Sequence, residues 1–344
     1  DHRDLHLSLR RQRQMCIRDS VRQDAMEDQE DTEPLSATAE NGAAIVETIV
    51  TRVAAHVQAM IDGENTVVTD PDRKHCEHAL ESLDHLVVID IFLTETAKFA
   101  DVVFPATSWA ETDGVCTNTE RRVQRLRAAV PPPGEAKPDW WIVSQSSQRM
   151  GIQGFEYEAA KDVFNELCEL AATYHGLDWD RIEHSEYQWP VPEKDHPGTP
   201  LLHIGEFVNG RGIFSIVRYR DPAETIDDDF PVWLTTGRRL QSYHTRTQTG
   251  RSEGIDYLLP EETLEVHPSD VESWGLTDGG WCTMASARGS VKIRVQATDR
   301  SPRGTVFSSF SFNDVPINFM TGSGYDPVTH TAELKVCPVR VEPA

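Results

Sequence analysis

Two short apolar runs constrain the fold of the first half of this chain most strongly. Residues 86–90 read L-V-V-I-D and residues 102–105 read V-V-F-P, and a short helical pattern from Thr94 to Phe99 separates them. Continuous apolar runs of this length are typical of parallel strands that are covered on both faces. The order strand, helix, strand predicts a doubly wound α/β domain, in which ligands lie beyond the carboxyl ends of the strands.

Helical patterns surround these two runs. Apolar residues recur at three- and four-residue steps from Ile45 to Ile61, which predicts a helix ending there. A second helix is predicted to open near Asp70 and to run to about Leu83, another to begin at Asp139, and a third to span roughly Glu158 to His175. The polar stretch from Thr107 to Arg122 predicts a loop.

The pattern changes to short strands beyond Phe230. Residues 283–297 predict a hairpin that turns at Arg288-Gly289, because apolar and polar residues alternate along its second arm. A short helix is predicted to follow His267, with proline in its first turn. Short strands without a long helix must close or form a sandwich, so this half is predicted to be a closed β-barrel.

The segment Trp233–Thr249 is the strongest candidate binding loop. It starts as an apolar strand and continues with hydroxyls, one glycine and three arginines. Gly237 lets the backbone approach a ligand closely, Arg238 can form bidentate contacts with phosphate, and His244 follows six residues later. An anion site is one interpretation, and a hydroxyl-rich surface loop is the other. Asp90, at a predicted strand end, is a candidate hydrogen-bond acceptor for a base or ribose, or a helix N-cap.

Charge and cysteine usage exclude several classes of protein. The formal net charge is −23, which disfavours nucleic acid and anionic membrane as partners. The six cysteines include no C-x-x-C pair, so neither a zinc site nor an iron–sulfur binding run is predicted, and free thiols indicate a reducing, cytoplasmic compartment. No apolar run reaches about 18 residues and the first residues lack a signal peptide's apolar core, so no membrane span is predicted.

A series of separate stretches resembles the molybdopterin oxidoreductases, in the same order and at similar spacing. These stretches cover about residues 63–343, and an ordered series is far more specific than any one motif. They are Gly63-Glu64-Asn65, V-V-I-D-I-F-L-T-E-T-A-K-F-A-D-V-V-F-P-A (87–106), E-T-D-G-V-C-T-N-T-E-R-R-V-Q (111–124), A-K-P-D-W-W (136–141), T-T-G-R-R-L-Q-S-Y-H-T (235–245), H-P-S-D-V (267–271) and D-P-V-T-H-T-A-E-L-K-V-C-P-V-R-V-E-P (326–343). Within this family the chain is most similar to catalytic (alpha) subunits of formate dehydrogenases.

The resemblance implies a domain plan. Residues 41–195 would be the C-terminal part of the family's α/β domain, residues 196–229 a linker with a strand-like stretch at 210–219, and residues 230–344 the double-psi β-barrel that binds molybdopterin dinucleotide. Residues 1–40 are predicted to be an unstructured or unrelated leader, because an acidic run with almost no apolar side chains fills much of the segment.

The resemblance also implies which residues hold the cofactor, a Mo or W ion between two molybdopterin guanine dinucleotides. Asp90, with the Ile89 backbone, would contact the guanine side of one dinucleotide together with Asp139. The segment Thr236–Thr245 would wrap the pterin and phosphates of the other. The implied cofactor-binding residues are Gly63, Ile89, Asp90, Thr112, Asp139, Thr236, Gly237, Arg238, Arg239, Leu240, Gln241, Ser242, Tyr243, His244, Thr245, Asn318 and Lys335.

Some of these positions have competing interpretations or depart from the family pattern. Phe310 falls where the family lines its substrate funnel, although a core phenylalanine is the commoner outcome. Lys335 is either a ligand or an ordinary solvated lysine. Thr112 replaces a basic residue that the family often has, and Thr66 replaces a common proline.

The implied function is oxidation of formate to CO2, with electrons passed through iron–sulfur clusters to an electron-transfer subunit. The family's Cys or selenocysteine metal ligand and its N-terminal 4Fe–4S site have no counterpart here, so the chain is interpreted as a C-terminal portion that needs the N-terminal part of the same subunit as partner. It is expected to lack catalytic and metal-ligating residues and to be inactive alone. The alternatives are a nitrate reductase of the same family, a non-catalytic dinucleotide-binding module, and a structural or interaction protein.

Overall fold

The computed structural model describes residues 59–62, 65–207, 210–216, 218–326 and 331–344. The predicted leader, most of the predicted helix at 45–61 and the candidate residue Gly63 lie outside the described residues. Two compact units are present. Of the described residues, the first unit contains 59–62 and those within 84–91 and 100–216, and the second contains those within 65–83, 92–99 and 218–344.

Helices and strands are numbered in chain order. The α-helices of the described residues are α1 (Thr66–Thr69), α2 (Arg73–Glu81), α3 (Asp139–Arg149), α4 (Ala160–Leu170), α5 (Glu253–Leu258) and α6 (Pro268–Ser273). Short 3-10 helices span Thr96–Phe99, Ala172–Tyr174, Thr249–Arg251 and Ile317–Phe319. The strands are β1 (Ala59–Asp62), β2 (Leu86–Asp90), β3 (Val102–Pro105), β4 (Gly114–Thr117), β5 (Arg122–Leu126), β6 (Tyr187–Gln188), β7 (Val232–Gly237), β8 (Thr263–Val266), β9 (Trp281–Ala285), β10 (Ser290–Ala297), β11 (Thr305–Ser309) and β12 (Cys337–Pro343).

A parallel sheet of order β1-β2-β3 forms the first part of the first unit. Every residue of β2 is buried, as its continuous apolar run predicts, and β2 pairs in parallel with β3 through Val88 and Val103. Helix α3 packs Ile142 against Ile89 at the end of β2 that carries Asp90. The predicted parallel pairing and the predicted start of α3 at Asp139 are therefore confirmed. The predicted burial of the second run is wrong, because β3 is at the edge of the described sheet and is only partly buried.

Three local predictions are wrong. Residues 59–62 form strand β1 and not the end of a helix, because Ile61 pairs with Val88 of the buried strand β2. The predicted polar loop at 107–122 contains β4, which joins β5 and β6 in an antiparallel sheet. The described part of residues 210–219 contains no strand, although its composition is strand-like. In the first two cases pairing with a distant strand overrides local propensity, whereas the described part of 210–219 has no strand partner.

The second unit contains the predicted closed barrel. Its six strands follow the order β10-β8-β11-β7-β12-β9, and its core includes the fully buried Leu234, Leu264 and Ile293. Strand β10 alternates buried and outward residues as predicted, and it forms the predicted hairpin with β9. Helix α6 begins at Pro268, where the Nδ1 atom of His267 accepts a hydrogen bond from the Ser269 amide at 3.1 Å.

Two further predictions concern the described residues as a whole. No helix in the described ranges has the length and apolarity that crossing a bilayer requires. The described cysteines carry free thiols, namely Cys76, Cys116, Cys168, Cys282 and Cys337.

Gly237, at the end of β7, lies directly against an aromatic ring. A Cβ atom placed on Gly237 would come within 2.5 Å of Cε2 of Phe307, far inside van der Waals contact. The guanidinium of Arg239 lies over the same ring, with its Cζ atom 5.4 Å from the ring centroid, so displacing the ring would disturb that contact. Packing inside the barrel unit therefore favours glycine at this position.

Replacing Gly237 by alanine should destabilise the barrel unit by about 1–3 kcal/mol, the usual effect of forcing an extra methyl group into packed surroundings. The measurement is the free energy of unfolding in denaturant. Gly254→Ala is the matched control, because Gly254 lies in α5 with no atom within 4 Å of an added Cβ. That substitution should be neutral or stabilising. Equal effects of the two variants would contradict the packing argument.

Candidate functional site

Parallel pairing of β7 with β11 brings the two candidate loops of the barrel unit together. In this register Gly237 is paired with Ser309, so both strands end at the same edge of the barrel. The loop after β7 begins with Arg238 and the loop after β11 begins with Phe310. Residues more than seventy positions apart in the sequence thus become neighbours because of strand register alone.

Phe310 is the meeting point of two candidate ligand residues. The Arg238 guanidinium carbon lies 5.4 Å from the centroid of the Phe310 ring, and the His244 ring packs edge-on against it at 5.4 Å. His244 adopts a left-handed backbone conformation with φ of 49°, uncommon for a residue other than glycine. Arg238 is exposed and forms no ion pair with any residue that the structure describes. Its positive charge is available to an anion.

Lys335 adds a second cation beside this group. Its Nζ donates a hydrogen bond to the Thr236 carbonyl oxygen at 2.8 Å, and the Thr236 hydroxyl donates to the carbonyl oxygen of Leu334. Burial lowers the pKa of Lys335, and the charge of Arg238 lowers it further. The two cations repel each other across the loop, so an anion bound between them would relieve that repulsion.

Arg239 differs sharply from its neighbour. Its Nε and Nη2 atoms donate to Glu262 Oε1 at 3.0 and 2.8 Å, and its Nη1 donates to Glu265 Oε1 at 2.6 Å. Nη2 also reaches the carbonyl and hydroxyl oxygens of Thr263, at 2.8 and 2.9 Å. The Arg239 side chain is almost completely buried. Its charge is neutralised by protein carboxylates, and the structure gives it a packing role.

The remaining residues of the loop divide between exposed and enclosed side chains. Leu240 is 98% exposed, and Gln241 and Tyr243 are also exposed. Ser242 is buried and its Oγ has no hydrogen-bond partner among the described residues. The hydroxyl of Thr245 bonds that of Thr247 at 2.9 Å. An enclosed hydroxyl without a partner loses free energy unless something binds it, so Ser242 is a candidate ligand contact.

A cavity of about 740 Å³ opens next to the start of this loop. Arg238 and Gln241 contribute side chains to its wall, and Arg300 and Gln296 line it from other parts of the barrel. The full lining is Thr235, Arg238, Arg239, Leu240, Gln241, Leu259, Pro260, Glu261, Thr263, Glu265, Gln296, Arg300, Ser301, Pro302, Thr305 and Phe307. Pockets of this volume are the size that cofactors and drug-like ligands occupy.

Asn318 has a structural attachment inside the same unit. Its Nδ2 donates to the carbonyl oxygens of Val68 and Thr69 at 2.7 and 2.9 Å, and so caps the end of α1. Its Oδ1 is buried without a partner among the described residues. Sequence reasoning missed the capping role, because the two segments are about 250 positions apart. It also missed Glu262 and Glu265, whose only signal is one carboxylate directly before β8 and another inside it.

The first unit has its own candidate site, at the carboxyl ends of β2 and β3. The Ala106 amide donates to the Asp90 carbonyl at 3.1 Å, and the Lys137 amide donates to the Pro105 carbonyl at 3.1 Å. The Thr107 amide returns a bond to the Lys137 carbonyl at 3.2 Å. These bonds fix the start of α3 beside the strand ends, so that Asp139 lies near Asp90 as sequence reasoning expects.

Several polar atoms at this site are enclosed without a hydrogen-bond partner. One oxygen of Asp139, Oδ1, is buried without a partner among the described residues, and Asp90 beside it is also buried. Burial raises the pKa of Asp139, and the nearby Asp90 charge raises it further, although its own amide opposes the shift. Thr107 Oγ1 and Trp140 Nε1 are also enclosed without partners in the described part of the chain. The carboxylate oxygen suits a ligand that presents N–H donors.

Two other candidate residues have plain surroundings. Ile89 is completely buried in β2, and its side chain packs against Ile142, so that only its backbone is left as a ligand contact. Thr112 donates its hydroxyl to the carbonyl oxygen of Asp113 at 3.2 Å in a partly exposed loop. Gly63 lies outside the described residues.

Comparison with known proteins connects both sites to one family. The model of the molybdopterin oxidoreductase family matches residues 24–149, and the model of the molydopterin dinucleotide binding domain matches residues 232–338. The two matches contain the two candidate sites described above.

Relatives with functional names are also similar along most of the chain. F420-dependent formate dehydrogenase 2 subunit alpha of Methanococcus maripaludis is 44% identical over 285 residues, which cover 82% of this chain and 42% of the relative. The assimilatory nitrate reductase catalytic subunit of Bacillus subtilis is 35% identical over 290 residues, 81% of this chain and 41% of the relative. The chain therefore spans less than half the length of these relatives.

A solved structure has the same fold. Acetylene hydratase from Pelobacter acetylenicus superposes with a TM-score of 0.63 at 18% identity, covering 86% of this chain and 46% of that one. The family-model matches, the relatives and the shared fold agree with the series of motifs in the sequence. The chain belongs to the molybdopterin oxidoreductase family.

Proposed function

We propose that this chain is the cofactor-binding portion of a formate dehydrogenase catalytic subunit. The observation that carries the proposal is the 44% identity, over 82% of the chain, to a formate dehydrogenase alpha subunit. Both candidate sites lie within that family's matched segments, which supports a shared task of holding the cofactor. The cofactor proposed is Mo or W bound by two molybdopterin guanine dinucleotides.

The residues present fit such a cofactor. The dinucleotide carries a pyrophosphate, which needs positive partners, and Arg238 and Lys335 are cations without carboxylate partners among the described residues. The enclosed Ser242 hydroxyl offers a further contact. In the first unit, the partnerless oxygen of Asp139, beside Asp90, offers an acceptor to the N–H groups of a guanine base. The cations of one unit thus suit a pyrophosphate, and the acceptors of the other suit a guanine base.

Each residue then has a binding or orienting task. Arg238, His244 and Lys335 would hold the pterin and phosphates of one dinucleotide, and the backbone of Thr236 would fix Lys335. Asp90, the Ile89 backbone and Asp139 would hold the guanine side of the other. Phe310, packed between Arg238 and His244, would orient both side chains and border the route of substrate. We assign the barrel to the double-psi type and the β1-β2-β3 sheet to the family's doubly wound domain.

The cofactor, when bound, supplies the two-electron oxidation of formate to CO2. The chain's own residues bind it, orient it and set its electrostatic surroundings. We propose that an iron–sulfur or NAD-linked subunit accepts the electrons, and that the 4Fe–4S cluster and metal ligand belong to another part of the same subunit. We also place the protein in the cytoplasm, because the described cysteines are free thiols, which persist in reducing compartments.

A nitrate reductase is the second candidate, favoured by the 35% identity to the catalytic subunit of an assimilatory nitrate reductase. The two functions share the residues that hold the cofactor. Steady-state turnover of the intact protein with formate and an artificial acceptor, against nitrate and a reduced dye, separates them. Turnover of nitrate alone would contradict formate oxidation.

Removing the side chains of Arg238 and His244 should release the cofactor. In the holoenzyme we expect Arg238→Ala combined with His244→Ala to lower bound pterin and metal by about tenfold or more, because each lost hydrogen bond to a charged group costs about 1.5–3 kcal/mol. Bound pterin is measured by fluorescence after oxidation, and metal by mass spectrometry. Arg220→Ala, which changes another exposed arginine, is the matched control. Full retention in the double variant would argue against this site.

Replacing Asp139 by a neutral residue should raise the stability of the cofactor-free protein and weaken cofactor binding. The folded pKa of Asp139 is raised, so the folded protein holds this proton more tightly than the unfolded chain does. Its ionisation therefore lowers stability as pH rises from the ordinary aspartate pKa through the raised one. Asp139→Asn should remove that loss and raise the stability of cofactor-free protein at pH 7.

The same variant should weaken retention of the pterin dinucleotide several-fold, because an amide accepts fewer hydrogen bonds from a base than a carboxylate does. The measurements are denaturant unfolding from pH 4 to pH 8 and the pterin content of the holoenzyme. Asp113→Asn, at an exposed position in the same unit, serves as control. Lower stability of the Asp139→Asn variant throughout this pH range would contradict the charge argument.

A further inference from the structure

The strongest feature outside the ligand residues is a buried carboxylate that joins both loops of the barrel site. The side chain of Glu262 is completely buried. Its Oε1 atom accepts hydrogen bonds from Arg239, which belongs to the loop after β7. The same oxygen accepts a hydrogen bond from the amide of Ser309 at 3.1 Å, and Oε2 accepts one from the Ser309 hydroxyl. Ser309 is the last residue of β11, directly before the second loop.

Each bond ends one residue away from a side chain of the candidate site. Arg239 follows Arg238, and Ser309 precedes Phe310. The guanidinium of Arg238 and the ring of Phe310 contact each other at 5.4 Å. A single carboxylate therefore holds the Arg239 side chain on one side of that contact and the Ser309 backbone on the other.

We propose that Glu262 is a positioning residue that holds Arg239 and Ser309 together and thereby keeps Arg238, His244 and Phe310 assembled for an anionic ligand. The identity of the ligand rests on the proposed function, whereas the coupling of the two loops does not. Glu262 itself acts through its neighbours.

Charge balance supports this role. A buried carboxylate is retained only where its charge is paired and its lone pairs accept hydrogen bonds, and Glu262 meets both conditions through Arg239 and Ser309. Arg239 is shared with Glu265, and Glu265 also accepts from Arg300 at 2.8 Å. Two carboxylates and two arginines thus form a neutral network. Arg238, the adjacent residue, stays outside the network and keeps its charge for a ligand.

Amide hydrogen exchange of the holoenzyme and of its cofactor-free form tests the coupling. The first loop is followed at the amides of Ser242 and Arg246, which bond Arg239 and Tyr243 carbonyls at 3.1 and 2.9 Å. The second loop is followed at Ser311, whose amide bonds the Ser309 hydroxyl at 3.3 Å. The Val295 amide in β10, bonded to Gly280 at 2.8 Å, reports on the barrel itself.

Glu262→Gln should raise exchange about tenfold or more at both loops and leave Val295 unchanged, because it removes the charge from a buried pair while preserving shape. Glu342→Gln is the matched control: this half-exposed carboxylate of β12 pairs with Arg340 at 3.0 Å and does not line the cavity. Faster exchange in one loop alone, or equally in Val295, would overturn the proposal. So would identical profiles for the two variants.

Anion binding provides the second readout. With inorganic pyrophosphate as probe, the affinity of cofactor-free protein should fall about tenfold or more in Glu262→Gln and stay unchanged in Glu342→Gln. Unchanged affinity despite loosened loops would overturn the positioning role. If the wild-type protein itself carries no pterin, the proposed function fails, while the loop and pyrophosphate measurements still decide the role of Glu262.

Should Glu262→Gln fail to fold, two milder variants address the same question. Arg239→Lys weakens the hydrogen bonds that hold the first loop and keeps the positive charge at residue 239. Ser309→Ala removes the hydroxyl bond that holds the second loop. Because both residues bond one carboxylate, their effects on exchange should be non-additive by about twofold or more, as is usual for residues in one network. Strictly additive effects would show that the loops are independent and would overturn the proposal.

Discussion

The parallel pairing of β7 with β11 is the constraint on which the barrel site depends. It aligns Gly237 with Ser309, so that two loops distant in sequence leave the barrel at one edge. Strand pairing of this kind is specified by the side chains that must face the core, here Leu234 and Val306, because a shift by one residue would turn both outward. The position of Arg238 beside Phe310 is thus a consequence of core packing.

The chain's strong negative charge makes local pairing decisive. In a protein of net charge −23, many carboxylates are available to pair with each guanidinium. Most arginines with short contacts are indeed paired with carboxylates. Arg239 is an extreme case, held by two glutamates. Arg238 is directed over an aromatic face, an interaction that keeps a cation in place without neutralising it. The aromatic contact therefore leaves Arg238 charged and able to bind an anion, whereas the carboxylate contacts neutralise Arg239 and hold it in the barrel.

Sequence patterns were sufficient where one physical cause dominates. The run L-V-V-I-D predicts β2 because only a strand covered on both faces buries five consecutive residues, and the alternation in β10 predicts its inner face. Patterns failed where distant pairing decides: residues 59–62 are apolar enough for either a helix or a strand, and the partner Val88 selects the strand. The same limit applies to the site. Arg238 and Arg239 are chemically identical in sequence, and only Glu262 and Glu265, more than twenty residues away, distinguish a ligand candidate from a buried anchor.

The polar atoms left without partners give the candidate sites their functional meaning. The Ser242 hydroxyl in one unit and the Asp139 carboxylate oxygen in the other are both buried and unbonded within the described residues. Leaving such an atom unpaired costs about 1–3 kcal/mol, a large share of the stability of an ordinary domain. Because Asp139 also lies near Asp90, repulsion between the two like charges adds to the cost of burying this unpaired oxygen. Packing alone would favour apolar residues at these positions, so the retained polar groups are explained by a bound partner whose donors and acceptors complete them.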